Sequence, residues 1–416
     1  KERKERRNSM KKPELLAPAG NFEKLRYALH YGADAVYCAG KKFGLRAKAD
    51  NFDQTALAEA VKYVHERDKK IYVTLNMIPH NADLDGLPEY VSELKDLGID
   101  GVIVADPGVF SVVQEVAPDL KISVSTQANN TNWRSVAFWH AQGAKRIVLA
   151  RELGLIEIQE IREKVAPEME IEIFVHGAMC ISYSGRCLLS HYMTGRNSNQ
   201  GDCAHPCRWK YHLLEETRPD EAFTIEEDAT GSFIFNSKDL CLIDEIPALM
   251  ASGVDSFKIE GRMKSLYYVA TVVSAYRSAI DYTYDNPAVK KLDQGYYDEL
   301  TKVSHRNYTK GFYSGKTTSE DQNYGTSSYT RHYDFVGLVL EYDENTGMAL
   351  IEQRNKVVLG DEIEIMIPGD GFVTQVIKVM TDVSGQAIES APHPKMHYYL
   401  QMCRPVKPMD IIRKRD

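Results

Sequence analysis

Short apolar runs alternate with amphipathic stretches along the first two-thirds of the chain. Runs such as PELLAPAG (13–20), ADAVYCAG (33–40), KIYVTLNMI (70–78) and GVIVADPG (101–108) are too short for helices and end in turn or polar residues, so each predicts a strand. KISVSTQANN (121–130), AKRIVLAREL (144–153), EIEIFVHG (170–177) and DSFKIEGR (255–262) continue the series to eight. Between them, segments such as QTALAEAVKYVHERDK and SLYYVATVVSAYRSAIDY space their apolar residues by three and four, the period of a helix with one buried face. Strands alternating with helices imply parallel βα units, and eight of them over residues 13–286 predict an α/β fold, a (β/α)8 TIM-like barrel. A doubly wound open sheet is the alternative; no G-x-G-x-x-G opens a helix, which weakens a dinucleotide reading.

The rhythm breaks once, after the seventh strand. Residues 178–236 are polar, lack periodicity and contain four of the seven cysteines, a cysteine-rich insertion. Residues 287–332 read as a connector, and residues 1–12 as a basic tail. From residue 333 to 416 the pattern becomes short β runs separated by turns such as DENTG and PGDG, which predicts a small C-terminal all-β barrel domain.

Composition narrows the function classes. An apolar content of 43% supplies a core and argues against disorder, while no apolar run approaches the ~20 residues that span a bilayer. KERKERRNSMKK has no apolar stretch behind it, so it does not read as a secretory signal, and the chain reads as cytoplasmic with no membrane partner. A net charge of −8 argues against a protein that coats nucleic acid non-specifically. A local basic track remains open to it, built from Arg413, Lys414 and Arg415 at the C-terminus and from Arg186, Arg196, Arg208 and Lys210 near the cysteines.

The candidate chemistry lies in the cysteines. Cys180, Cys187, Cys203 and Cys207 are spaced C-x6-C-x15-C-x3-C. Four thiolates suit zinc or an iron–sulfur cluster. Structural zinc prefers paired C-x2-C knuckles, and neither pair here has that spacing, which favours a [4Fe–4S] cluster. Cys38, Cys241 and Cys403 lie in apolar runs and read as small core residues. The insertion leaves the C-terminal end of the seventh strand, the end at which barrels of this kind place their active sites. Polar residues collect at the other strand ends: Asn76, Asp106, Gln127, Asn129, Arg151, Glu152, His176, Glu260 and Arg262, with Arg46 in the loop after the second strand. Some of these must brace the rim. Arg46, Arg151 and Arg262, with Asn76 and Gln127, form a candidate substrate-binding set, because guanidinium forks match carboxylates and phosphates. His176, Glu152, Lys258 and Glu260 are candidate catalytic residues; Lys258 and Glu260, two apart, share a strand face.

EIFVHGAMCISYSGRCLLS (172–190) resembles the signature of the U32 family, historically called collagenase-like peptidases, in its Glu, Phe, Gly, both Cys and final Ser. The resemblance extends to PELLAPAGNFEKL, ADAVYCAG, STQANN and SFKIEGRMKS. It implies an oxygen-independent hydroxylase carrying a [4Fe–4S] cluster on the same four cysteines. Length and domain layout resemble the branch that makes 5-hydroxyuridine at the wobble position of tRNA, with prephenate, a small dicarboxylate, as co-substrate and hydroxyl source. Hydroxylation of ribosomal RNA or a quinone, a U32-type peptidase, and a non-enzymatic RNA-binding module are the competing readings. Four thiolates on one zinc would leave no open position for a hydrolytic water. The oligomeric state is not legible.

Overall fold

The barrel strands form where the chain buries nearly every side chain it passes. Ala35–Cys38 (β2) and Gly101–Val104 (β4) are buried at every position, as parallel strands covered on both faces must be. In the computed structural model, which describes residues 11–44, 51–180, 182–209, 227–228, 231–232, 238–315 and 332–416, they join Glu14–Pro18 (β1), Lys70–Leu75 (β3), Lys121–Val124 (β5), Arg146–Val148 (β6) and Glu170–Ala178 (β7). The parallel ladder runs in chain order from β1 to β7. Ser256–Ile259 then pairs with β7 on one side and β1 on the other, with Phe257 opposite both Ile173 and Leu15, and the ring closes. The eight-stranded barrel is therefore as the alternation predicts.

Alternation also sorts the two faces. Leu15, Ala17, Val36 and Val73 join the core between sheet and helices, whereas Leu16, Ala35, Tyr37, Tyr72 and Ile103 meet inside the ring. Charged residues share that interior. Arg146 lies 2.8 Å from Glu172 and 2.6 Å from Glu14, and Lys258 bonds the other Glu172 oxygen at 3.0 Å.

One irregularity matters for the site. Lys258 pairs with Phe174 but Ile259 pairs with His176, so Val175 is an extra residue in β7. Such a bulge reverses the facing of everything beyond it. The displaced Val175 carbonyl accepts from Tyr276 Oη (2.7 Å) and from the Leu242 amide (2.9 Å). Past the bulge β7 also pairs antiparallel with Asp239–Cys241, which in turn takes Tyr308–Thr309 as a neighbour. Gly177 permits the crowding: its φ is +113°, and a Cβ there would stand 2.5 Å from the Glu260 carbonyl oxygen.

The stretch read as a connector contains the helix Gln294–Leu300 and the strand Tyr308–Thr309, and Leu292, Leu300 and Val303 are buried in the barrel's shell. The helix Leu266–Asp285 crosses between this shell and β1; Ser265 caps it by accepting from the Tyr268 amide. No described helix is long and apolar enough to cross a membrane.

The C-terminal part is an antiparallel all-β unit. Its seven-stranded sheet is ordered Gly371–Val376, Glu362–Ile367, Ile411–Arg415, Tyr333–Asp343, Met348–Gln353, His397–Gln401, Met380–Asp382. It docks on the barrel through Tyr31, whose hydroxyl donates to the Met366 carbonyl and accepts from the Ile411 amide, both at 3.1 Å. Arg413 is wholly buried there between Glu299 and Glu364, and Lys414 pairs with Asp361 at 2.9 Å. The C-terminal basic segment is thus not the nucleic-acid track that its composition suggested; two of its three cations are committed to carboxylates.

Candidate active site

The C-terminal strand ends and the cysteine segment enclose one cavity. All four of Cys180, Cys187, Cys203 and Cys207 line it, together with Asn76, Gln127, Arg151, Lys258, Glu260 and Arg262. The β strands place the barrel residues; the cysteine segment forms the roof. That segment is held by polar stitching around small elements, the helix Leu189–Thr194 and the turns Ser198–Gln200 and Pro206–Arg208. Arg196 forms an ion pair with Asp202 at 2.8 Å and donates to the Cys203 carbonyl at 3.3 Å. Ser198 Oγ donates to the Cys187 carbonyl (2.8 Å), and the Ala204 amide to Ser190 Oγ (2.9 Å). The Ile78 amide donates to the Asn199 carbonyl at 3.1 Å and ties the roof to the loop after β3. Arg196 therefore braces the roof rather than offering a charge to a ligand.

The floor is organised by charge. Lys258 is only 4% exposed, held by Glu172 below and flanked by the rings of Tyr37 (4.6 Å) and Phe174 (5.4 Å). Burial alone would raise the Glu172 carboxyl, but Lys258 and Arg146 outweigh it and hold the group below its ordinary value. Tyr37 Oη donates to the Ile259 carbonyl at 3.0 Å and reaches Glu260 Oε2 at 3.4 Å. Arg151 donates to the Ala178 carbonyl (2.7 Å) and lies over Phe174, and Asn76 Nδ2 donates to Gln127 Oε1 (2.7 Å).

Other candidates lie elsewhere. Because of the bulge, His176 turns away from the barrel interior into the helical shell, among Tyr268, Tyr276 and Tyr308; it is 1% exposed, and burial pushes its imidazole down to about 3. Glu152 is outside the cavity lining, with its carboxyl raised by burial against the pull of Arg151. Asp106 caps the helix Pro107–Val116 by accepting from the Gly108 and Val109 amides. Asn129 Nδ2 donates to the Gln127 carbonyl at 2.9 Å. Arg46 and Lys210 fall outside the described residues. Cys38 and Cys241 are buried, with thiols pushed up to about 12, but Cys403 is exposed, so its placement in the core is corrected. Sequence reasoning missed Tyr37, Phe174 and the Glu172–Arg146 pairing. The alternating Glu170 and Glu172 in EIEIF were the available signal, since two carboxylates on one face of a buried strand need cations opposite them.

The donor set can be weighed against the two metals. Zinc at about 2.3 Å from each sulfur would draw the thiolates to one point. Among the described residues, no three of His, Cys, Asp or Glu are gathered that closely. In a cubane each thiolate binds a different iron, and all four cysteines line one cavity. None of them is in a disulfide, and the His205 amide donates to Cys203 Sγ at 3.4 Å, a contact that tunes cluster thiolates. Four thiols around one cavity are a donor set of the kind that soft metal centres use.

Comparison with known proteins gives the same outline. The profile of peptidase family U32 matches residues 20–323, and that of the family's C-terminal domain residues 331–413. The tRNA hydroxylation protein P1 of Bacillus subtilis (strain 168) is 45% identical over 404 residues, 97% of this chain and 95% of that protein. The tRNA hydroxylation protein P of Escherichia coli (strain K12) is 39% identical, covering 92% of each chain. A protein named collagenase from Porphyromonas gingivalis (strain ATCC BAA-308 / W83) is 30% identical over 88% of this chain and 89% of its own length.

Proposed function

The chain belongs to peptidase family U32, and from that premise we propose that it is a cytoplasmic, oxygen-independent tRNA hydroxylase. It forms 5-hydroxyuridine at the wobble position with prephenate as the hydroxyl source. The observation that carries the reading is the meeting of all four cysteines with Lys258, Glu260, Arg151 and Arg262 around one barrel-mouth cavity, in a chain that matches tRNA hydroxylation proteins over nearly its full length.

Cys180, Cys187, Cys203 and Cys207 would hold a [4Fe–4S] cluster, which when bound supplies one-electron redox chemistry. The protein's own groups do the rest. Arg151 and Arg262 clamp the carboxylates of prephenate, as guanidinium forks do. Asn76 and Gln127 present amides to the polar edge of the uracil. Glu260, the one carboxylate among the described residues lining the cavity, accepts the proton that leaves C5. In net terms uridine C5–H and donor C–OH become C5–OH and donor C–H. The donor is reduced as the base is oxidised, and no dioxygen is consumed.

The test is mass analysis of nucleosides from bulk tRNA of a strain lacking the gene, with and without the complementing chain. Loss of 5-hydroxyuridine derivatives and their return on complementation is the expected result. Unchanged levels, or cleavage of collagen by the purified protein, would move it to another substrate.

A further inference from the structure

The cysteine segment exposes aromatic rings that folding does not use. Tyr192 is 85% exposed, Tyr183 47% and Trp209 41%, and Leu188 on the same segment is 68% exposed. These three are half of the six exposed Phe, Tyr and Trp side chains among the described residues, and Tyr192 is the most open of all. Rings left in water on a segment otherwise held by polar stitching mark a contact surface.

One ring reaches the cavity itself. Tyr183 lines it. Leu188 and Tyr192 are one helical turn apart, the Tyr192 amide donating to the Leu188 carbonyl at 2.9 Å, so they share a face. Their helix, Leu189–Thr194, contacts the turn Pro206–Arg208, and Trp209 follows directly. The segment also differs in charge from the rest of the chain. Residues 178–209 contain Arg186, Arg196 and Arg208 against Asp202 alone, a formal +2, in a chain of net −8. Arg196 is consumed by Asp202, and Arg186 is exposed.

We propose that Tyr183, Tyr192 and Trp209 form a stacking platform for the unpaired bases of an RNA hairpin loop, set beside the cavity that takes the reacting base. This rests on the tRNA reading and adds how the RNA is held. A duplex hides the faces of its bases, so such a platform selects loops. With little surplus positive charge, affinity comes from stacking more than from phosphate contacts, which suits an acidic protein better than a basic track does.

The experiment measures binding of the anaerobically prepared full chain to an anticodon stem-loop RNA and to the same sequence annealed to its complement. Tyr192→Ala and Trp209→Ala should each weaken stem-loop binding about 10-fold while leaving the duplex affinity unchanged. Tyr192→Phe should bind as the parent does, and Tyr192→Leu should bind as weakly as the alanine variant, because the ring and not apolarity is required. The salt slope should stay the same in Tyr192→Ala and shrink in Arg186→Gln. Unchanged melting temperature and iron content check that the fold is intact. Full stem-loop affinity in the Tyr192→Leu, Trp209→Leu double variant would overturn the platform. If that double variant still restores 5-hydroxyuridine in cells, only the platform fails; if the parent neither binds tRNA nor restores it, the functional reading fails as well.

Discussion

At the N-terminal end of the barrel, Arg146 meets Glu14 and Glu170 at 2.6 Å and Glu172 at 2.8 Å, and Lys121 completes the set on Glu170 at 2.7 Å. At the C-terminal end, Lys258, Glu260, Arg151 and Arg262 stand around a cavity roofed by four cysteines that form no disulfide. The two ends are built from the same charged residue types. At the first, cations and carboxylates satisfy one another around the buried Arg146 and Glu172; at the second, they border a cavity. Glu172 joins the two ends, with one oxygen on Arg146 and the other on Lys258.

The comparison can be broken from the N-terminal end first. Arg146→Met takes from the buried Glu172 one of its two cations and should cost about 3 kcal/mol, read as a lower denaturation midpoint, whereas the same change at Arg151 on the open end should leave the midpoint near the parent's. If both variants unfold alike, the two ends are not distinct. The next effect is pH-dependent. His176 is neutral in the fold, with its value depressed to about 3 from an unfolded 6.5. The unfolded state therefore takes up a proton first, and stability is lost as pH falls below 6.5, by about 2 kcal/mol at pH 5. Glu172, also depressed, loses its contribution only as pH falls further, through the ordinary carboxylate range and below. A chemical-denaturation series should show two separate acid losses, and His176→Phe should remove the first while sparing hydroxylation; a variant with unimpaired folding but no activity would return His176 to the site. The smallest effect lies at the open end. Arg151→Ala should lower activity at limiting prephenate about 10-fold, as expected for one lost charge-assisted contact, with visible cluster absorbance unchanged.

How much of this was legible follows from element length and pairing. The eight barrel strands were readable because each writes a run of buried apolar residues between helices of clear period. Asp239–Cys241 and Tyr308–Thr309 were not, since strands of three and two residues leave no periodicity. The four cysteines were readable because thiols seldom gather in a polar segment, Asn76, Gln127, Arg151, Glu260 and Arg262 because they follow the apolar runs of barrel strands, and Lys258 because it is two residues from Glu260. His176 misled for a definite reason. Strict alternation from Glu172 and Phe174 points it inward, and only the extra Val175 turns it out. Arg413 misled because a basic run reads as solvated until Glu299 and Glu364, far away in sequence, are brought beside it.

The most direct test is iron and acid-labile sulfide analysis of anaerobically purified protein, in the parent and in four single Cys→Ser variants at 180, 187, 203 and 207. The account predicts about four irons and four sulfides per chain in the parent. It predicts loss of most of both, and of 5-hydroxyuridine formation, in each variant, with the barrel's melting temperature little changed. A folded parent without iron or sulfide that still hydroxylates tRNA would contradict it.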